Sequence, residues 1–150
     1  MASEALHRLI YMSTAVGVLR ADELDRVFIR SRAANTGAGI TGLLLFYEGS
    51  FLQMLEGPAA GLTSLMLRIR RDRRHSGLVT LRAGPCTARI FPDSPLHYVA
   101  PRNLTRGERQ AFSDLRDAVR ARPQMVGPPA PGADNGLHDF MSSFATARAA

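Results

Sequence analysis

A handful of polar side chains stand where the local pattern calls for apolar contacts, and their types suit a hydrogen-bonded ligand site. From Asp22 to about Gly37, Leu24, Val27, Phe28 and Ser31 recur at three and four residues as the stripe of an amphipathic helix, and this stripe turns polar at Ser31 and Asn35. A second stripe, Leu62, Leu65, Met66 and Ile69, continues into Asp72, with Arg68 one turn before it and His75 just beyond. Polar groups on a core stripe need partners. Any one of them could simply satisfy loop backbone near a helix end, but two facing helices that turn polar at the same end point to a polar ligand between them. The strands add two more groups. Tyr11 shares a strand face with Leu9 and Ser13, and Gln53 shares one with Phe51 and Leu55. A core tyrosine with a satisfied hydroxyl is common, and a strand glutamine usually meets water. If their strands are neighbours, phenol and carboxamide lie within hydrogen-bonding reach under the inter-helix gap.

The elements that would position these groups follow in a regular order. Residues 7–13 alternate as a short strand, and a helix starts at Asp22. Residues 39–57 form two strand-like runs around Glu48-Gly49, the length and chemistry of a tight hairpin. Pro58 can open the second helix without needing its N–H. Strand-like residues 78–84 come next, with a shorter run at 87–90 as a fifth strand. Strand, helix, strand, strand, helix, strand is the order of an α+β, ferredoxin-like βαββαββ sheet, with strands one and three central and both helices on one face. A helix over 105–121, a Pro/Gly linker RPQMVGPPAPGADNG and a tail from Leu137, either a short helix or mobile, complete the chain. The division expected is a domain over 1–100 and a C-terminal helical extension over 101–150.

Composition narrows the classes. The 150 residues are 45% hydrophobic and 21% charged, which suits one globular core. Trp is 0, Cys is 1 and all 19 basic residues are arginine, so Schiff-base chemistry, a P-loop lysine and a disulfide framework are excluded. The net charge is +6, most of it in RIRRDRR at 68–74, and so local a cluster fits a single phosphate-bearing ligand as well as a polyanion. No run nears the roughly 18 apolar residues of a membrane span, and MASEALHRLI lacks the marks of a signal peptide, so a cytoplasmic location is expected. Cys86 carries no evident role. The histidines at 7, 75, 97 and 138 lack metal-ligand spacing, so no metal is expected.

LIYMSTA, then SRAANTGAGITGLLLFYEGSFLQMLEGP, then IRRDRRHSG resemble successive signatures of the BLUF family, flavin-binding blue-light sensors, and the likeness runs from about residue 7 to residue 98. The resemblance implies a ferredoxin-like fold with a flavin between the two helices, FAD by preference, with FMN or riboflavin as alternatives. By position, Tyr11 matches the photoactive tyrosine and Gln53 the glutamine between it and the flavin. Asn35 matches the asparagine at the isoalloxazine edge, with Ser31 one turn before it. Arg68, Ile69, Asp72 and His75 match positions lining the other side of the ring or the chain leading from it, and Arg74 is a candidate for the pyrophosphate. In FPDSPLHYV, Ser94 and Leu96 replace a tryptophan and a methionine common in the family, which puts output through the fifth strand in question.

The implied mechanism is a reversible switch and no enzyme: Tyr11 gives up an electron and then a proton through Gln53, and recombination leaves Gln53 rearranged by rotation or tautomerisation. The expected partner is a separate downstream effector protein, because too few residues remain for an appended cyclase or phosphodiesterase; neither nucleic acid nor membrane is expected. Ile10, Met12, Leu52 and Met54 are apolar on the opposite sheet face, which calls for cover by the helix at 105–121, a second subunit, or both, and a homodimer or higher homo-oligomer is expected. Two rivals use the same topology. An acylphosphatase-like enzyme needs a glycine-framed anion loop after strand one, and STAVGVLR supplies one glycine and one arginine. An RNA-binding module exposes aromatics on central strands, where this chain has Leu52 and Met54.

Overall fold

Glu48 and Gly49 both take left-handed backbone conformations, with φ of 46° and 79°, and so reverse the chain in two residues. The strands they join are β2 (Thr41–Tyr47) and β3 (Ser50–Pro58). The computed structural model describes residues 5–121 and 135–147. Before the hairpin come β1 (Leu6–Ala15) and α1 (Ala21–Ala38); after it come α2 (Ala59–Arg71), β4 (His75–Pro85), β5 (His97–Val99), a single 3-10 turn at Pro101–Asn103, α3 (Arg106–Ala121) and α4 (Asn135–Ala147). The sheet order is β4-β1-β3-β2-β5. The first four strands pair antiparallel, and β5 lies parallel to β2. This is the ferredoxin-like arrangement, with β1 and β3 central and Tyr11 directly opposite Gln53. β2 approaches β3 so closely that a Cβ at Gly42 would run into the Met54 carbonyl oxygen. Only glycine fits there.

The two faces of the sheet are packed differently. Under α1 and α2 the apolar contacts split into two clusters. One joins Leu9, Tyr11 and Leu55 to Leu62, Leu65 and Met66 of α2, and the other joins Leu44, Phe46, Phe51 and Leu96 to Leu24 of α1. On the opposite face a single cluster runs from Ile10, Met12, Leu52 and Met54 to Phe112 and Val119 of α3 and Met141 and Phe144 of α4. Tyr47 meets Phe112 edge-on, with ring centroids 5.8 Å apart.

One expectation needs correction, and two open alternatives are decided. Residues 87–90 form no strand, because the N–H groups of Ile90 and Phe91 are taken by the Glu56 carboxylate at 2.9–3.0 Å instead of by a neighbouring strand; the fifth strand is at 97–99. The apolar sheet face is not left for a second subunit, since α3 and α4 bury Ile10, Met12, Leu52 and Met54 to between 0% and 4% exposure. The area argument for a dimer falls with it. The tail from Leu137 is helical, as part of α4. Most of the Pro/Gly linker lies outside the described residues.

Candidate functional site

On β1 and β3, alternation carries Tyr11 and Gln53 to the face beneath α1 and α2, and their register sets them side by side. The Tyr11 hydroxyl donates to Gln53 Oε1, both residues being only 4% exposed. Gln53 Nε2 has no acceptor among the described residues. Above this pair lies a hollow of about 50 Å³ between the helices, lined by Tyr11, Ser13, Val27, Ser31, Leu44, Phe51, Gln53, Ile69, Asp72, Arg74 and His75. α1 is lightly packed over it. Of its 18 residues only Leu24 and Asn35 are buried, while Val27, Phe28 and Ser31 are half-buried.

Past Arg71 the backbone leaves the helix, with Asp72 extended at ψ 117°. This places a short acidic-basic-imidazole run at the rim of the hollow. Arg74 Nη2 and Nε donate to the Asp72 carboxylate at 2.6–3.1 Å, and the Arg74 N–H adds a bond of 3.0 Å. The Arg74 guanidinium thereby holds the Asp72 carboxyl below its ordinary value despite partial burial. Burial, seconded by the Asp72 charge, drives the Tyr11 phenol far above its ordinary range, so it stays neutral. His75 Nε2 lies 2.8 Å from the Ile69 carbonyl. A carbonyl only accepts, so this nitrogen carries the proton, and Nδ1 is left buried without a partner.

Of the residues singled out in the sequence, Tyr11, Ser31, Gln53, Ile69, Asp72, Arg74 and His75 meet at the hollow. Asn35 is buried beside it but does not line it: Nδ2 donates to the Pro95 carbonyl at 2.6 Å, and Oδ1 is buried without a partner. Arg68 stands apart, exposed on α2. Its spacing of four from Asp72 would align them only if the helix continued, and it stops at Arg71. Ser13, Val27, Leu44 and Phe51 also line the hollow. Alternation from Tyr11 and Gln53 reaches Ser13 and Phe51, the stripe through Ser31 reaches Val27, and Leu44 is paired with Gln53.

Ser13 Oγ and His75 Nδ1, buried without partners, and Gln53 Nε2 face the hollow as a set of donors and acceptors, and Asn35 Oδ1, also without a partner, is buried beside it. Such a set fits a flat heterocycle whose edge alternates carbonyls and ring nitrogens. Among the described residues there is no cluster of metal-ligating side chains, and no helix is long and apolar enough to cross a membrane.

Comparison with known proteins agrees with this geometry. The chain matches the family model described as sensors of blue-light using FAD over residues 6–97. The photoactivated adenylate cyclase subunit alpha of Euglena gracilis is 38% identical over 111 residues, 74% of this chain and 10% of that protein. Subunit beta from Euglena longa is 36% identical over 87 residues, 58% of this chain and 10% of that protein. The chain thus spans about a tenth of the length of these curated relatives. Among solved structures, the dark state of BlrB, a BLUF protein, superposes with a TM-score of 0.72 at 28% identity, covering 93% of this chain and 97% of that one. A bacterial light-regulated adenylyl cyclase gives 0.74 at 26%, covering 79% and 36%.

Proposed function

The chain belongs to the BLUF family of flavin-binding blue-light sensors, and on that premise we propose that its flavin ring lies between α1 and α2 against the Tyr11–Gln53 pair. The observation that carries this reading is the hydrogen bond from Tyr11 to Gln53 beneath a gap rimmed by unpartnered polar atoms. In the proposal Asn35 Oδ1 and Gln53 Nε2 meet the polar edge of the ring, Ile69 packs on its face, and Asp72, Arg74 and His75 bound the side from which its chain leaves. Arg74, half-exposed, is the cation placed to meet a phosphate group.

When bound, the flavin supplies the light absorption and the one-electron chemistry. Tyr11 would be the electron donor beside it, and the neutral phenol has a proton to pass because burial suppresses its ionisation. Gln53 would accept that proton at Oε1, the atom already bonded to the hydroxyl, and return of the electron and of a proton would restore Tyr11, so that neither residue is consumed. Its two ends differ in hydrogen-bonding sense, so rearrangement of the carboxamide changes what the ring meets without consuming a substrate. The chain therefore acts as a reversible switch and not as a catalyst, with residues 1–100 as the sensor and 101–150 as the output extension that engages a separate effector protein. The match to BlrB over nearly all of both chains supports this organisation.

The rival RNA-binding reading loses its surface, since Leu52 and Met54 are fully buried under α3 and α4. A dimer through that face is not part of the proposal. Among the described residues, the large exposed apolar ones, Val16, Val18, Ile29 and Leu67, lie on neither of those helices. The decisive experiment is the visible spectrum of the purified chain. A flavin band that moves reversibly to longer wavelength under blue light is expected; a colourless protein that also fails to take up added flavin refutes the reading.

A further inference from the structure

Glu56 is fully buried, yet its carboxylate serves no residue of the hollow. It accepts from the N–H groups of Ile90 and Phe91 at 2.9–3.0 Å and from Arg8 Nε at 2.9 Å, and Arg8 Nη2 reaches the Ala88 carbonyl at 2.8 Å. Arg89 closes the other side, donating to Thr41 Oγ1, the Glu56 carbonyl and the Gly39 carbonyl at 2.9–3.0 Å. Residues 88–91 are thus fastened to β1, β2, β3 and the end of α1. Three residues on, the same segment is fastened differently: the Ser94 carbonyl accepts from the Gly42 N–H at 3.1 Å, and the Pro95 carbonyl accepts from Asn35 Nδ2. Beyond it, β5 is held to β2 at three paired positions, against nine for β1 and β3. The chain from 88 to 99 is therefore fastened at its start by side-chain bonds, joined to Asn35 in the middle, and held at its end by three strand pairs, the stack of His97 on Phe91 and the burial of Leu96 and Val99.

We propose that Glu56 is a positioning residue for output: by immobilising residues 88–91 it forces a hydrogen-bond change at Asn35, transmitted through the Pro95 carbonyl, to move β5 and the turn leading to α3. A displacement of Pro95 cannot relax backwards, because that end carries a buried carboxylate, two arginines and several main-chain bonds. It travels forward to the three-residue strand. This inference rests on the reading that Asn35 meets the flavin. It also gives Ser94 and Leu96 a defined place: Ser94 acts through its carbonyl, and Leu96, 1% exposed among Leu24, Leu44, Phe46 and Phe51, anchors the segment under α1.

The test uses the full chain with bound flavin and Glu56→Gln, which keeps volume and shape but replaces one acceptor oxygen by a donor facing the same N–H groups. Light-minus-dark absorption reports the flavin, and hydrogen–deuterium exchange of peptides spanning 86–104 reports the segment. The parent is expected to show the red shift and a light-dependent rise in exchange at 92–99. Glu56→Gln is expected to keep the red shift, raise exchange at 88–91 in the dark, and lose the light-dependent difference at 92–99. A purely structural role would lower thermal stability and leave that difference intact, and this outcome overturns the proposal. So does a parent that shifts its spectrum with no light-dependent exchange at 92–99. A parent with no spectral shift overturns the photoreceptor reading, and the proposal with it. Should Glu56→Gln fail to fold, Arg89→Gln, at a partly exposed site, releases the same segment and must give the same pattern.

Discussion

Tyr11 and Gln53 satisfy one another in a place where neither can turn to water, and a double-substitution cycle measures that dependence. Tyr11→Phe keeps the ring in its hole and removes only the hydroxyl, leaving Gln53 Oε1 without its donor at a residue 4% exposed. Leaving one buried partner unsatisfied costs about 1–3 kcal/mol. Gln53→Leu does the converse to the phenol at a similar cost. The double variant replaces both partners by apolar groups of about the same shape, a change that is nearly neutral. The coupling between the two sites should therefore approach the sum of the two single losses, about 2–6 kcal/mol, far from additivity. In a chain of this size each kcal/mol moves the midpoint by roughly 2–4 °C, so both single variants melt several degrees below the parent while the double variant recovers most of the loss. Urea denaturation of the flavin-free protein, with slopes compared across the four proteins, gives the cycle directly. Additivity to within about 0.5 kcal/mol would refute a direct buried hydrogen bond. The same single variants, loaded with flavin, should keep the yellow band and lose its light-driven shift.

Burial and the Asp72 charge raise the Tyr11 pKa above its unfolded value of 10.0, so its contribution to stability is complete below that pH and is lost as pH rises beyond it. The stability gap between parent and Tyr11→Phe should accordingly narrow in denaturation series carried above pH 10, and a gap that widens there contradicts the assignment. Asp72 has the opposite sign: its depressed pKa stabilises above the ordinary value of 3.8 and the benefit fades as pH falls, a small effect because Arg74 is half-exposed, visible as a shallower acid limb in Asp72→Asn. Phe112→Ala removes the fully buried ring by which α3 meets Tyr47 and the sheet, and should cost about 3–5 kcal/mol in chemical denaturation. If α3 is only lightly docked, the loss will fall well below that range.

What the chain discloses to inspection is whatever local chemistry decides. The hairpin was legible because Glu48-Gly49 names its own turn, and the hollow because polar residues interrupt two stripes at the same end. Tyr11 and Gln53 could be paired in advance since both faces follow from alternation and the strand order from a chirality rule. Local pattern misleads where a distant group intervenes. Residues 87–90 read as a strand until the Glu56 carboxylate, more than thirty positions away, claims the N–H groups a ladder would use. Arg68 reads as an Asp72 neighbour only while the helix is assumed to run past Arg71. Asn35 could be located but not its bond to Pro95, sixty residues on, because no periodicity predicts which carbonyl a buried amide will find. The cover over Ile10, Met12, Leu52 and Met54 was half-seen, with α3 expected and α4 left open.

β1 is continuous against β3 through nine paired positions, but against β4 its register slips on either side of Tyr11, between Ile10 and Tyr11 and again between Met12 and Thr14. A bulge interrupts the ladder and bends the strand locally. The strand that bears the phenol thus runs in unbroken register with the strand of its glutamine and in broken register with the other neighbour. The alignment of Tyr11 and Gln53 is written into main-chain pairing that side-chain motion does not touch. A carboxamide that rearranges at Gln53 therefore has its return position set by the backbone and not by neighbouring side chains.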